Sequence, residues 1–236
     1  MKITVIVPAY NEEKYIGDCL QSLLNNPPEN LEEIIVVNNA STDNTAAIAA
    51  RFSRVRVVEE PIKGLTHARQ RGMKEAKSEL LAYVDADTRI NRHWYDVLNR
   101  AFSSNPKLVC LSGPYNYYDL GGLNRAWINF YWRLVILTYW MNRCVVIGGN
   151  FAARKSALEK MGGFDTSIAF YGEDTNIARR IRSVGKIRFS REFTLLTSGR
   201  RFVKDGMIRT GVRYGLNYIW EMMFRRPLTK DYIDIR

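Results

Sequence analysis

The chain has 236 residues, 46% of them hydrophobic and 25% charged, which fits one large domain with a substantial core and excludes a chain dominated by disorder. Its formal net charge of +11 calls for an anionic partner, and nucleotide phosphates, nucleic acid and an acidic membrane face are the classes to separate. Three cysteines, Cys19, Cys110 and Cys144, are an odd number in segments that read as helix or strand, which predicts buried thiols in a reducing compartment.

The first half alternates strand and helix. Ile3 to Val7 is a β-rich run closed by Pro8, and its place at the very start predicts a chain without a signal peptide. Residues 12–25 carry Tyr15, Ile16, Cys19, Leu20, Leu23 and Leu24 at the spacing of a helix packed on one face. Glu33 to Val37 is a second strand, followed by a helix capped by Ser41 or Thr42 and running to about Phe52. Val55 to Val58, a helix from Leu65 to Lys77, and a strand from Glu79 to Val84 complete this half.

Further on, the pattern predicts a helix over Trp94–Phe102 and a strand over Leu108–Ser112. A long aromatic helix spans Leu123–Met141, a strand Cys144–Ile147, a short helix Arg154–Met161 and a last helix Gly172–Val184. The chain reads as one domain over 1–197 with a basic, aromatic, helical extension over 198–236. No uncharged run reaches the ~20 apolar residues of a membrane span.

Unalternating Ile and Val runs imply strands buried on both faces, hence an α/β fold with a mostly parallel sheet flanked by helices. Ligands of such sheets bind beyond the carboxyl ends of the strands, where three polar clusters fall: Ala9-Tyr10-Asn11-Glu12, Asn38-Asn39-Ala40-Ser41 and Asp85-Ala86-Asp87. On an extended backbone Asp85 and Asp87, at i and i+2, share a face and can converge on a divalent cation. Arg69, one turn into its helix, has two readings: a diphosphate contact, or a solvated basic face with Arg71 and Lys74. His67 and His93 lack zinc-pair spacing and read as surface or packing residues.

Val5-Ile6-Val7-Pro8-Ala9-Tyr10-Asn11-Glu12, Ser41-Thr42-Asp43-Asn44-Thr45, Gly64 to Gly72, Asp85-Ala86-Asp87 and Gly172-Glu173-Asp174 occur in an order and spacing that resemble family 2 glycosyltransferases over about residues 3–200. The resemblance implies a GT-A fold and inverting transfer of a sugar from a nucleotide diphosphate donor with Mg²⁺ or Mn²⁺. It implies donor contacts from Pro8, Ala9, Tyr10, Glu12, Asn38, Arg69, Asp85 and Ala86, with Asp87 the first metal ligand and Asp85 nearer ribose or metal. Family members often carry Asp where this chain has Asn38, so uracil recognition stays open. Asp174 matches the family's base; by itself, an acidic residue at a helix start has a structural reading too.

Glu173, Gly149 and Asn150 fall on the acceptor side, and Arg200 and Arg201 resemble the basic element that meets the diphosphate. The Gln-x-x-Arg-Trp motif of processive synthases is absent, which favours transfer of a single sugar. Trp127, Phe130, Tyr131, Leu134 to Leu137, Tyr139 and Trp140 around Arg133, and the stretch Tyr214–Phe224 before Arg225-Arg226, suit a bilayer interface. They suit sheet cover or a homodimer contact as well. The membrane reading predicts a peripheral protein on the inner face of the cell membrane acting on a lipid-linked hydroxyl acceptor. The competing function is a noncatalytic module binding nucleotide sugar or nucleic acid. Nucleic acid is disfavoured because the aromatics sit in apolar stretches and are not interleaved with basic residues on a platform.

Overall fold

A computed structural model describes residues 1–229, the side chains of 123–126 excepted. The elements run β1 (Ile3–Ala9), α1 (Ile16–Leu24), β2 (Leu31–Asn38), α2 (Thr45–Ala49), β3 (Val55–Glu59), α3 (Leu65–Glu75) and β4 (Leu80–Val84). They continue with β5 (Thr88–Ile90), α4 (Trp94–Ser104), β6 (Leu108–Ser112), β7 (Tyr115–Tyr117), α5 (Gly122–Asn142), β8 (Asn150–Arg154) and α6 (Lys155–Lys160). The last are α7 (Glu173–Arg182), β9 (Lys186–Phe189), β10 (Leu195–Thr197), α8 (Arg200–Asp205) and α9 (Met207–Phe224).

Among the described residues, seven strands form the main sheet in the order β3-β2-β1-β4-β8-β6-β9. All pairs are parallel except those of β8, which runs antiparallel to both β4 and β6. The predicted α/β architecture stands, with β8 making the sheet mixed. One face packs Val5, Val7, Ile34 and Val36 against α1 and α4, and the other packs Ile6, Ile35, Val37 and Leu81 against α3 and α7. Each strand is thus apolar on both sides, the reason its sequence does not alternate. Tyr83 and Phe151, opposed across β4 and β8, stack with ring centroids 4.6 Å apart. Gly72 lets α3 lie close on the sheet, since a Cβ there would meet Val37 Cγ2 at 3.3 Å.

The Cys144–Ile147 run is not a strand. Its apolar side chains divide between two clusters, Cys144 and Val146 on one and Val145 on the other, so burial accounts for the pattern without a strand neighbour. Its backbone donors go to side chains instead: Cys144 N to Asn142 Oδ1 at 2.9 Å and Ile147 N to Ser112 Oγ at 2.9 Å. The strand starts six residues later than predicted, at Asn150, and the following helix is the short α6.

A second sheet, β5-β10-β7, went unpredicted because each strand is three residues long. It sets Thr88 opposite Thr197 and Thr197 opposite Tyr117, which brings three distant segments to the end of β4. The basic extension folds back, with α9 packed on α7 and α8; its last stretch, 230–236, lies outside the described residues.

Candidate active site

The loop after β1 is clasped to the turn before α2. Asn11 adopts a left-handed backbone with φ 50°; its amide N–H donates to Ser41 Oγ at 3.1 Å, and its Oδ1 accepts from Thr42 N at 2.8 Å. Glu12 N donates to Thr45 Oγ1 at 2.8 Å, and Glu13 N to Asp43 Oδ2 at 3.0 Å. Two of the sequence motifs therefore hold each other on the rim. A third rim tie comes from Asn39, whose amide donates to the carbonyls of Glu60 and Ile62 and accepts from Gly64 N at 2.8 Å at the start of α3.

Below this rim lies a cavity of about 860 Å³ lined by Pro8, Ala9, Tyr10, Glu12, Arg69, Asp85, Ala86, Asp87, Gly149, Glu173, Asp174, Arg200 and Arg201, among others. Asp85 and Asp87 reach it differently from the extended-strand expectation. β4 stops at Val84, and the backbone turns, Thr88 N donating to Asp85 O at 3.1 Å. Each carboxylate meets its own cation: Asp85 Oδ1 lies 3.5 Å from Arg69 Nη2, and Asp87 Oδ2 lies 3.0 Å from Arg200 Nη2.

Arg69 is 1% exposed, which removes the solvated-face reading. Its Nη1 donates to Glu173 Oε2, so it bridges the end of β4 to the start of α7. Burial opposes the Arg69 charge, but Glu173, Asp85 and Asp174 outweigh it and raise the pKa. Burial likewise drives the Glu173 carboxyl well above its ordinary range; Arg69 pulls it back, while the charge of Asp174 and a hydrogen bond with it push it higher. One buried cation facing three carboxylates leaves Glu173 holding its proton to higher pH. Asp174, half-buried, accepts from Gly148 N at 3.2 Å.

Glycine is required in this loop for close approach. A Cβ on Gly148 would fall 2.8 Å from Arg69 Nη2 and clash with Glu173 Oε1, and one on Gly149 would clash with Asp85 Oδ2 and the Tyr115 hydroxyl. Tyr115, unmarked in the sequence reading, thus stands beside Asp85. Burial, then the charges of Asp85 and Asp174, raise its pKa well above the usual value. Its sole sequence signal is an alternating Tyr-Asn-Tyr run too short to predict a strand.

Two residues expected at the site do not line it. Asn38 is 6% exposed and donates through Nδ2 to Glu59 Oε2 at 2.8 Å, while its neighbour Asn39 lines the cavity. Asn150 is wholly buried: Oδ1 accepts from Trp94 Nε1 at 3.1 Å, and Nδ2 donates to the carbonyls of Gly113, Pro114 and Phe193. It staples β8 to its surroundings and offers nothing to an acceptor. The cysteines are buried and unpaired, with Cys19 pushed up to about 12 by burial, so no thiolate nucleophile arises there.

Among the described residues no three or more Asp, Glu, His or Cys side chains cluster as a metal cage. Magnesium-type cations are commonly held by one or two carboxylates plus substrate phosphates. Asp85 and Asp87 fit that pattern, and the Arg200 guanidinium seated between Asp87 and Glu12, 2.5 Å from Glu12 Oε1, shows a place that attracts positive charge.

A sheet rim bearing two aspartates, a buried arginine and a carboxylate at a helix start suits a phosphate ligand held with a cation in an α/β fold. The chain belongs to Glycosyl transferase family 2, whose description matches residues 4–162. It is 33% identical to glycosyltransferase GlyG of Streptococcus pneumoniae serotype 4, over 85% of this chain and 61% of the relative. It is 29% identical to the probable glycosyltransferase YdaM of Bacillus subtilis, over 80% of this chain and 48% of that protein. The chain thus spans about half to three-fifths of the length of these curated relatives. In fold it is similar to the mannosyltransferase PcManGT of Pyrobaculum calidifontis, solved with GDP-Man and Mn²⁺, with TM-score 0.72, 22% identity and coverage of 95% of this chain and 64% of that one. It is also similar to S. aureus TarS 1-349, solved with UDP-GlcNAc, with TM-score 0.67, 21% identity and coverage of 85% and 59%. The expected GT-A fold therefore stands.

Proposed function

We propose that the chain transfers a single glycosyl residue, with inversion, from a nucleoside diphosphate sugar to an acceptor hydroxyl. The observation that carries this is the convergence of Asp85, Asp87 and Asp174 on one cavity, with the buried Arg69 bridging Asp85 to Glu173, the neighbour of Asp174. Pro8, Ala9, Tyr10, Glu12 and Ala86 form the donor side, with Arg69 a fixed positive charge near the diphosphate. Asp174 takes the proton of the acceptor hydroxyl as its oxygen bonds to the anomeric carbon. The bond from that carbon to the diphosphate oxygen breaks, and its electron pair leaves with the nucleotide. When bound at Asp87 and Asp85, Mg²⁺ or Mn²⁺ supplies electrostatic stabilisation of that leaving charge. Gly149 and Glu173 shape the acceptor side, and Glu173 orients Asp174 through their mutual hydrogen bond.

Assays of transfer and hydrolysis across UDP-, GDP- and dTDP-sugars with Mn²⁺ are expected to show turnover with one nucleotide class, abolished by EDTA. Full activity in EDTA would remove the metal from the reading. Absence of turnover with every donor, together with nucleotide binding, would favour the noncatalytic module.

The same cavity runs between α5 and α9, where exposed apolar side chains of both helices, Trp127, Phe130 and Leu134 on one and Ile208, Val212 and Ile219 on the other, line its mouth. Trp127, Phe130, Leu134, Leu137 and Met141 on α5 are 47–79% exposed, and Ile208, Val212, Leu216, Ile219 and Met223 on α9 are 50–67% exposed. Both sets recur every three or four residues, one stripe per helix. Arg143 and Arg225 close the two helices in left-handed conformations, and among the described residues no helix is long and apolar enough to cross a membrane. Apolar stripes edged by arginine suit the surface of an anionic bilayer, so the acceptor is a lipid-linked hydroxyl presented at the inner face. Co-sedimentation is expected with anionic vesicles and weaker with neutral ones. A dimer that binds neither would assign the stripes to a second copy of the chain.

A further inference from the structure

We propose that Arg200 is the resident counter-charge of Asp87, and that its grip makes metal entry conditional on a nucleoside diphosphate. The inference rests on the reading of Asp87 as metal ligand and adds a rule for the order of binding at that site.

Arg200 stands at the first position of α8, 188 residues away in sequence from the Glu12 it contacts. Its Nη2 lies 2.5 Å from Glu12 Oε1 and 3.0 Å from Asp87 Oδ2, and its guanidinium covers the Tyr15 ring at 4.8 Å. The side chain is 17% exposed, with Asp87 at 13% and Glu12 at 2%. The start of α8 is itself anchored, because Asp119 accepts from Ser198 Oγ and from Gly199 N, each at 2.5 Å. The seat is therefore built, with a buried carboxylate, an aromatic floor and a fixed helix start.

A divalent cation on Asp87 Oδ2 would lie within a few ångströms of this guanidinium. Like charges so close repel strongly where water is scarce. Without nucleotide, then, Arg200 competes with the metal for one carboxylate. A diphosphate changes the balance, because it brings negative charge and paired acceptor oxygens that suit the planar guanidinium fork. Arg200 can turn from Asp87 to the phosphates while Glu12 keeps its other side, and Asp87 is released to the cation. Metal and diphosphate then strengthen each other's binding by the same factor, as linkage requires. Arg200 is thus a positioning residue whose effect appears in binding, ahead of any turnover.

The test measures Mn²⁺ affinity from free Mn²⁺ by electron paramagnetic resonance, with and without UDP or GDP, on the full chain. Wild type is expected to bind Mn²⁺ weakly alone and more tightly with one nucleotide. Arg200→Gln is expected to tighten Mn²⁺ alone on the order of tenfold and to shrink the gain from nucleotide. Arg200→Lys, which keeps the charge but not the fork, is expected to bind Mn²⁺ alone as weakly as wild type, and melting curves confirm that both variants are folded. Unchanged Mn²⁺ affinity in a folded Arg200→Gln, with Asp87→Asn abolishing nucleotide-dependent Mn²⁺ binding, overturns the inference and leaves the metal site standing. Wild-type Mn²⁺ binding with nucleotide in Asp87→Asn removes the metal site, and the inference with it.

Discussion

Asp174→Asn is expected to lower the transfer rate by about 10²- to 10⁴-fold, the usual weight of a positioned general base, equivalent to about 3–5 kcal/mol of activation free energy. The amide is nearly the same size but cannot accept the acceptor's proton. It can still accept from Gly148 N, as the carboxylate does at 3.2 Å, so the loop carrying Gly148 and Gly149 should keep its place. The loss should therefore fall on kcat, with donor KM and nucleotide-dependent Mn²⁺ binding close to wild type. Steady-state kinetics with saturating donor read this split directly. A variant with a wild-type rate would show that Asp174 is only a helix-start residue, and the base would have to be sought elsewhere in the cavity.

Arg69→Met is expected to cost about 3–5 kcal/mol of folding stability, the range for breaking a buried pair by removing one partner. At about 2–4 °C per kcal/mol for a chain of this size, the melting temperature should fall by roughly 6–20 °C. The methionine fills similar volume, so the loss reports charge: Glu173 is left buried with Asp174 beside it and no cation. The cost has a definite dependence on pH. In the variant nothing pulls the Glu173 pKa back down, so the folded state keeps a proton that the unfolded chain releases. Wild-type Glu173 already has a raised pKa, so both proteins lose stability alike up to that value, and the deficit of the variant grows as pH rises above it. The deficit should accordingly be smaller in acid than in alkali, and adding Glu173→Gln should restore part of it. A melting temperature within about 2 °C of wild type, ~1 kcal/mol or less on the same scale, would show that the ion pair contributes nothing the packing does not.

How much of this was legible in the chain depends on the distance over which each feature is written. Asp85, Asp87 and Glu173-Asp174 each sit where a local pattern ends, an apolar run or a helix start, and could be found from a few neighbouring residues. The clasp between Asn11-Glu12-Glu13 and Ser41 to Thr45 was foreshadowed by topology alone, because adjacent parallel strands deliver their loops to one rim. Asn150 misled for the opposite reason. Behind two glycines it reads as substrate-facing, and only its bonds to Trp94, Gly113, Pro114 and Phe193 reveal it as a staple. The Cys144–Ile147 run misled because burial between two clusters imitates the signature of an inner strand.

By itself the sequence determined the alternation of strand and helix, the buried, mostly parallel sheet, the rim where the polar clusters gather and the carboxylates that stand there. Those follow from hydrophobic period and chain geometry, which are local. Tertiary structure alone decided the charges around them. It buried Arg69 between Asp85 and Glu173, brought Arg200 to Asp87 and Glu12 through the small β5-β10-β7 sheet, and set Tyr115 beside Gly149. Electrostatic pairing falls off with distance in space and is indifferent to distance along the chain, so contacts made across 104 and 188 residues leave no trace in any local pattern.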